Sequence, residues 1–96
     1  MNGLVTTEIL ARLLNNVGIY LGGRGLDLQL ACELHEQALA MYQRLYEGDH
    51  PALVDSLVNL ANDLRALGEH RRAQELDQQA LAIYQRLAAQ QAAGQS

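Results

Sequence analysis

Apolar residues recur at spacings of three and four along most of the chain, the period of one helix face. Between positions 53 and 67 they are Leu53, Leu57, Leu60, Ala61, Leu64 and Leu67. Between 73 and 87 they are Ala73, Leu76, Ala80, Ile83, Tyr84 and Leu87. The same two runs occur upstream, first as Leu10, Leu14, Val17, Gly18 and Leu21, then as Ala31, Leu34, Ala38, Met41, Tyr42 and Leu45. Four helices are predicted, of roughly 17 residues and roughly 25 Å each. The punctuation agrees with them. Pro51 opens the third helix, where a missing N–H costs nothing, and Gly68 closes it in a left-handed conformation.

The second pair of helices is a copy of the first. Ala38-Leu39-Ala40-Met41-Tyr42-Gln43-Arg44-Leu45 returns 42 residues later as Ala80-Leu81-Ala82-Ile83-Tyr84-Gln85-Arg86-Leu87, and 11 of 16 positions are identical between 31–46 and 73–88. The upstream halves align at an offset of 43, with Leu14, Asn16, Val17, Gly18 and Leu21 on Leu57, Asn59, Leu60, Ala61 and Leu64. The one-residue difference lies between the helices of a pair, where Leu21-Gly22-Gly23-Arg24-Gly25 stands for Leu64-Arg65-Ala66-Leu67-Gly68. A turn absorbs such an insertion cheaply. The small residues Gly18, Ala31 and Ala38, with Ala61, Ala73 and Ala80, let helix axes approach closely while larger neighbours fill the grooves.

Composition supports an all-α chain. Leu and Ala dominate the apolar set, the chain contains no Trp or Phe, and the four Tyr supply all the aromatic volume. Net charge is −4, with three Arg against six acids in residues 1–50 and four Arg against five in 51–96. Neither half has the basic footprint of a nucleic-acid binder. No apolar run reaches the roughly 18 residues that span a bilayer. Met1-Asn2-Gly3-Leu4 has neither the basic nor the apolar part of a signal peptide. Cys32 has no partner for an internal disulfide, so a cytoplasmic setting is expected.

With its 42-residue period, its small-residue positions Gly18/Ala61, Ala31/Ala73 and Ala38/Ala80, its Leu57-Val58-Asn59-Leu60-Ala61 run and its linker Gly48-Asp49-His50-Pro51, the chain resembles the tetratricopeptide repeat (TPR) family. The subtype it resembles is the longer one of kinesin light chains and many bacterial signalling proteins. The resemblance implies one TPR-like domain over 1–96, built as two tandem antiparallel helix hairpins, a four-helix fragment of an α-solenoid. Repeat one is expected at about 8–47, repeat two at about 51–90, and a flexible tail at 91–96. In that family first helices stack along a concave groove. The groove positions so implied are Arg12, Asn15, Asn16 and Ile19 in copy one, and Asp55, Val58, Asn59, Asn62 and Arg65 in copy two. Asn amides offer both donors and acceptors to an extended peptide, and an Arg can hold a carboxylate with two parallel bonds. His50 is implied to serve the linker and the helix start.

Other residues are weighed for chemistry. Cys32, His35 and Glu36 share a helix face and could form half a metal site. Histidines 50 and 70 have no ligand spacing around them, so Cys32 is read as a small semi-buried residue and His35 as a polar helix-face residue. Tyr42 and Tyr84 are read as packing residues, because they repeat. Tyr20 and Tyr46 have no repeat partner, and one of them is a candidate contact residue. The carboxylates are read as solvated helix faces, Glu69 having Arg72 at helical neighbour spacing. The glycine turn at 22–25 follows no strand and lacks a phosphate-loop Lys, so it is a hairpin turn.

Two repeats bury less than a longer array does, and solenoid stability comes from stacking. Apolar surface is therefore expected from Leu4, Val5 and Ile9 at one end and from Leu76, Ile83 and Leu87 at the other, and exposed patches of that kind meet partners. The function expected is a non-enzymatic, cofactor-free scaffold for a protein or peptide, self-associating as a homo-oligomer (dimer) or belonging to a longer array. The alternative is a sensor segment of a larger TPR array in a bacterial signalling ATPase or regulator. A metal-dependent regulator using the Cys32 face is a third. Neither nucleic acid nor membrane is an expected partner. The register itself is testable: Ala61→Leu and Ala73→Leu should each overpack a helix contact and cost roughly 1–3 kcal/mol. Thermal melts matching wild type for both would show the register to be wrong.

Overall fold

The computed structural model describes residues 3–94, apart from the side chain of Leu4. Expectations for Met1 and Asn2, for Leu4 as an exposed apolar side chain and for Gln95 and Ser96 as tail lie outside the described residues. Among the described residues there are four α-helices and no strand: α1 (Gly3–Gly23), α2 (Leu28–Leu45), α3 (Pro51–Ala66) and α4 (His70–Gly94). They pack as two hairpins, α1 against α2 and α3 against α4, and α3 seats on the first hairpin mainly through α2. Helix α4 runs on to Gly94, so residues 91–94, expected within a tail, are helical.

The first helix of each pair ends in the same way. After α3 the Gly68 N–H donates to the Arg65 carbonyl and the Glu69 N–H to the Leu64 carbonyl. After α1 the Gly25 N–H donates to Gly22 and the Leu26 N–H to Leu21. Both are Schellman motifs, which need a left-handed residue, and Gly25 (φ 64°) and Gly68 (φ 89°) supply it. Glu69 also starts the next helix, its carbonyl accepting from the Ala73 N–H, while in copy one that role falls to Asp27, whose carbonyl accepts from Ala31. The extra residue of copy one is therefore Leu26, between the stop signal and the next start, and it is exposed. Asp27 caps α2 by accepting from the Leu30 N–H.

The linker between copies is anchored at both ends. His50 caps α3 through its Nδ1, which accepts from the Ala52 N–H at 3.0 Å, so its implied linker role has a physical form. Its ring stacks on Tyr46, which stacks in turn on Tyr42. Asp49 receives two bonds from Arg86 of α4, at 2.7 and 3.0 Å, and the guanidinium holds its carboxyl below the usual carboxylate range. Tyr46 is thus a half-buried linker residue, and of the two unrepeated tyrosines Tyr20 is the exposed one.

The core lies where the copies meet. One cluster joins Cys32 of α2 to Leu60, Ala61 and Leu64 of α3 and Ala73 of α4. A second joins Ala11, Ala38 and Tyr42 of copy one to Leu53 of α3. Leu39 packs against both. The small residues singled out by the repeat, Ala31, Ala38, Ala61, Ala73 and Ala80, are all buried. Ser56 is buried with them, and its hydroxyl has no hydrogen-bond partner. An orphaned buried hydroxyl costs roughly 1–3 kcal/mol, and Ala is also the better helix former. Ser56→Ala should therefore stabilise the fold by about 1 kcal/mol, seen as a higher urea midpoint at unchanged m-value. A lower midpoint would contradict the burial of that hydroxyl without a partner.

Candidate protein-binding surfaces

The joint between copies contains a polar link that periodicity did not reveal. His35 is 1% exposed and Asp63 5%; His35 was expected on a polar helix face and Asp63 among solvated carboxylates. Their side chains bond through His35 Nδ1 and Asp63 Oδ2. The other ring nitrogen, Nε2, donates to the Asn15 carbonyl at 3.2 Å. Both nitrogens face oxygens, and a carbonyl oxygen can only accept, so Nε2 carries the N–H that meets Asn15. One imidazole thereby ties α1, α2 and α3 together.

Glycine makes the room for this link. A Cβ on Gly18 would come within 2.6 Å of His35 Nε2, and one on Gly22 within 2.6 Å of Asp63 Oδ1. Gly18 is thus a side-chain clearance as well as a site of close helix approach. The repeat alignment carried a faint signal for the pair: His35 falls on Asp77 and Asp63 on Tyr20, so the copies differ at both positions. Nothing in the spacing says that the two face each other.

The pairing also bears on the Cys32 face. His35 is occupied on both nitrogens, and the Cys32 thiol donates to a Glu36 carboxylate oxygen at 3.5 Å. Burial, with the Glu36 charge adding to it, pushes that thiol up to about 11. Cys32 is fully buried rather than semi-buried. Among the described residues no three His, Cys, Asp or Glu side chains gather as a metal-holding group. Arg72 lies 3.6 Å from Glu69, as their spacing implied, and 3.8 Å from Glu36.

The first-helix face contains a hollow. Asn15, Asn16 and Ile19 of α1 and Asp55, Val58 and Asn59 of α3 line a space of about 400 Å³. The Asn59 amide donates to the Asn15 side-chain oxygen at 3.2 Å across it. Ile19 and Asn59 continue into a smaller hollow of about 170 Å³ that Asn62 also lines. Of the residues expected at a groove, Arg12, Asn62 and Arg65 do not line the larger hollow. The Arg65 guanidinium donates to Asn62 at 3.0 Å and to the carboxylate of Asp77, which uses the charge that was to hold a peptide carboxylate. Arg12 does not line either hollow, and its charge acts on Tyr42 and Tyr46.

A third hollow, of about 320 Å³, opens at the far end of the second hairpin. Pro51, Val54 and Asp55 of α3 line it with Tyr84, Leu87 and Ala88 of α4. Tyr84, expected to pack like its repeat equivalent, is 62% exposed where Tyr42 is 4% exposed. Tyr42 is covered by α3 of the following copy, and no described element covers Tyr84. The exposed apolar residues of this end are Leu81 and Tyr84. Leu76 and Ile83, expected there, pack against the core clusters instead, because the helix turns them inward.

A family model described as Tetratricopeptide repeat matches residues 9–86. The chain belongs to the tetratricopeptide repeat family. Neither the curated proteins nor the solved structures yield a match to it. TPR domains are generally protein-interaction modules, so hollows between stacked helices are where contacts are to be sought. No helix among the described residues is long and apolar enough to cross a membrane.

The buried pair gives this TPR domain a sharp mutational signature. Removing one member of a buried pair strands the other and costs about 3–5 kcal/mol, whereas apolar replacement of both is often neutral. Asp63→Ala should therefore lower the urea midpoint severely, and His35→Leu with Asp63→Leu should recover much of the loss. Near-wild-type stability of Asp63→Ala would mean that His35 is not sealed in the joint.

Proposed function

We propose that this TPR domain holds an extended peptide or protein segment along the face shared by α1 and α3. The observation that carries the reading is the hollow formed by Asn15, Asn16, Ile19, Asp55, Val58 and Asn59. Half of its lining is Asn amide, polar but uncharged. The Asn15–Asn59 bond leaves the Asn15 amide N–H groups and the Asn59 side-chain oxygen for a ligand backbone, which has both a donor and an acceptor at each residue. With Arg65 already paired, main-chain recognition fits the site better than capture of a carboxylate.

The finer readings accompany this one. The 42-residue period and the Gly48-Asp49-His50-Pro51 linker support the kinesin-light-chain-like subtype. The domain is read as a non-enzymatic, cytoplasmic scaffold, either standing alone or as the sensor segment of a larger array in a bacterial signalling ATPase or regulator. The test is selection from a random peptide library, followed by titration of the winners. Asn59→Ala with Asn62→Ala should weaken binding about tenfold, the loss of roughly one net hydrogen bond, at unchanged helicity by circular dichroism. A library that selects no sequence, or winners indifferent to both substitutions, would remove the groove from consideration.

A further inference from the structure

The two copies expose opposite halves of one interface. Helix α3 docks on the first hairpin through a face that includes Leu53 and Leu60, which are 7% and 3% exposed. Their equivalents on α1, Leu10 and Val17, are 45% and 41% exposed. Helix α1 thus carries the docking face of α3 with no described element against it. The receiving side shows the same relation. Leu53 seats among Ala11, Ala38 and Tyr42, and the equivalents of these three on the second hairpin are Val54, Ala80 and Tyr84. Val54 and Tyr84 line the open end hollow.

We infer that α1 of a second copy of this chain docks on the α3/α4 end, in the register by which α3 docks on α1 and α2, so that copies stack head to tail. The occupant is a second copy because α1 corrects what α3 would do badly there. At the buried polar position the internal joint sets Asp63 against His35. The end face has Asp77 in place of His35, a carboxylate already paired with Arg65, so an incoming acid at the Asp63 position would meet a carboxylate where the internal joint has an imidazole. Helix α1 brings Tyr20 to that position, and a phenol hydroxyl can donate to a carboxylate. Tyr20 is 55% exposed and so available for it. Helix α1 also brings Leu13 where α3 buries the orphaned hydroxyl of Ser56, which removes that penalty from the intermolecular joint. The contact is heterologous, joining unlike surfaces, and such contacts propagate into chains or rings. It does not rest on the peptide groove, which lies on the face shared by α1 and α3.

The test uses sedimentation equilibrium or light scattering on the full chain across a concentration series, with two variants at exposed positions. Wild type should rise with concentration from the 10.6 kDa of one chain to beyond twice that mass. Leu10→Arg removes the docking face and Tyr84→Arg removes the receiving face, so each alone should stay at the mass of one chain. An equal mixture should form a dimer and stop there, because Tyr84→Arg keeps an intact α1 and Leu10→Arg keeps an intact end hollow. Circular dichroism of each variant checks that it remains folded. A wild type that stays monomeric at every concentration overturns the proposal, and would leave the end faces to other repeats or to a different protein. A wild-type dimer abolished by Leu10→Arg, untouched by Tyr84→Arg and not restored in the mixture overturns it in favour of a two-fold α1–α1 contact.

Discussion

The seating of α3 against the first hairpin is the contact on which the molecule depends. A helical hairpin of this length has one strongly apolar face and cannot bury it alone; α3 covers that of copy one and brings α4 with it. Leu53 settles beside Tyr42, Leu60 and Leu64 beside Cys32, and the Ala residues set the distance between axes. Within this apolar joint sits one imidazole, bonded to Asp63 of α3 and to the Asn15 carbonyl of α1. Apolar packing is tolerant of small slips, whereas a ring with two directed bonds is not. The pair therefore specifies which surface of α3 meets the first hairpin, and Gly18 and Gly22 are small because the pair needs their space.

Near-identity of the copies makes the differences between them informative. Tyr42 and Tyr84 share a position in the repeat, and one is buried while the other is open. Leu53 and Leu10 differ in the same way. Chemistry alone does not separate these residues; what separates them is whether a neighbouring repeat covers them. In a solenoid each unit presents one surface forward and another backward, and this domain shows one open surface of each kind. The polar contacts within the copies follow their own logic. Asp77, standing where His35 stands, is paired with Arg65 across the second hairpin.

The first-helix face is built differently from the end faces. Its hollow is lined by amides, one carboxylate and two β-branched apolar side chains, a surface suited to directed bonds with a main chain. The end hollow, with Pro51, Val54, Tyr84 and Leu87, is suited to a packed helix. The two surfaces therefore differ in chemistry, amides and a carboxylate on one and a largely apolar lining on the other, and Asp55 borders both.

The four helices, the ends that face the turns and the two-hairpin plan were legible in the sequence, because helix periodicity, Pro51, Gly68 and the 42-residue repeat are local or self-referential signals. The alanines of the joint were legible for the same reason. The six residues that line the first-helix hollow were named through the family resemblance and not through periodicity. The His35–Asp63 link was not legible, since the partners are 28 residues apart in different copies and at positions where the copies disagree. Nor was the fate of Arg65, whose guanidinium is drawn to Asp77 across the hairpin. The opposite exposures of Tyr42 and Tyr84 were equally hidden, since identical local sequence predicts identical burial. The sequence by itself determined which segments coil and which faces are apolar, because those follow from each residue and its near neighbours. Only the tertiary structure decided which polar groups meet and which apolar faces stay open, because both depend on what lies across the joint from them.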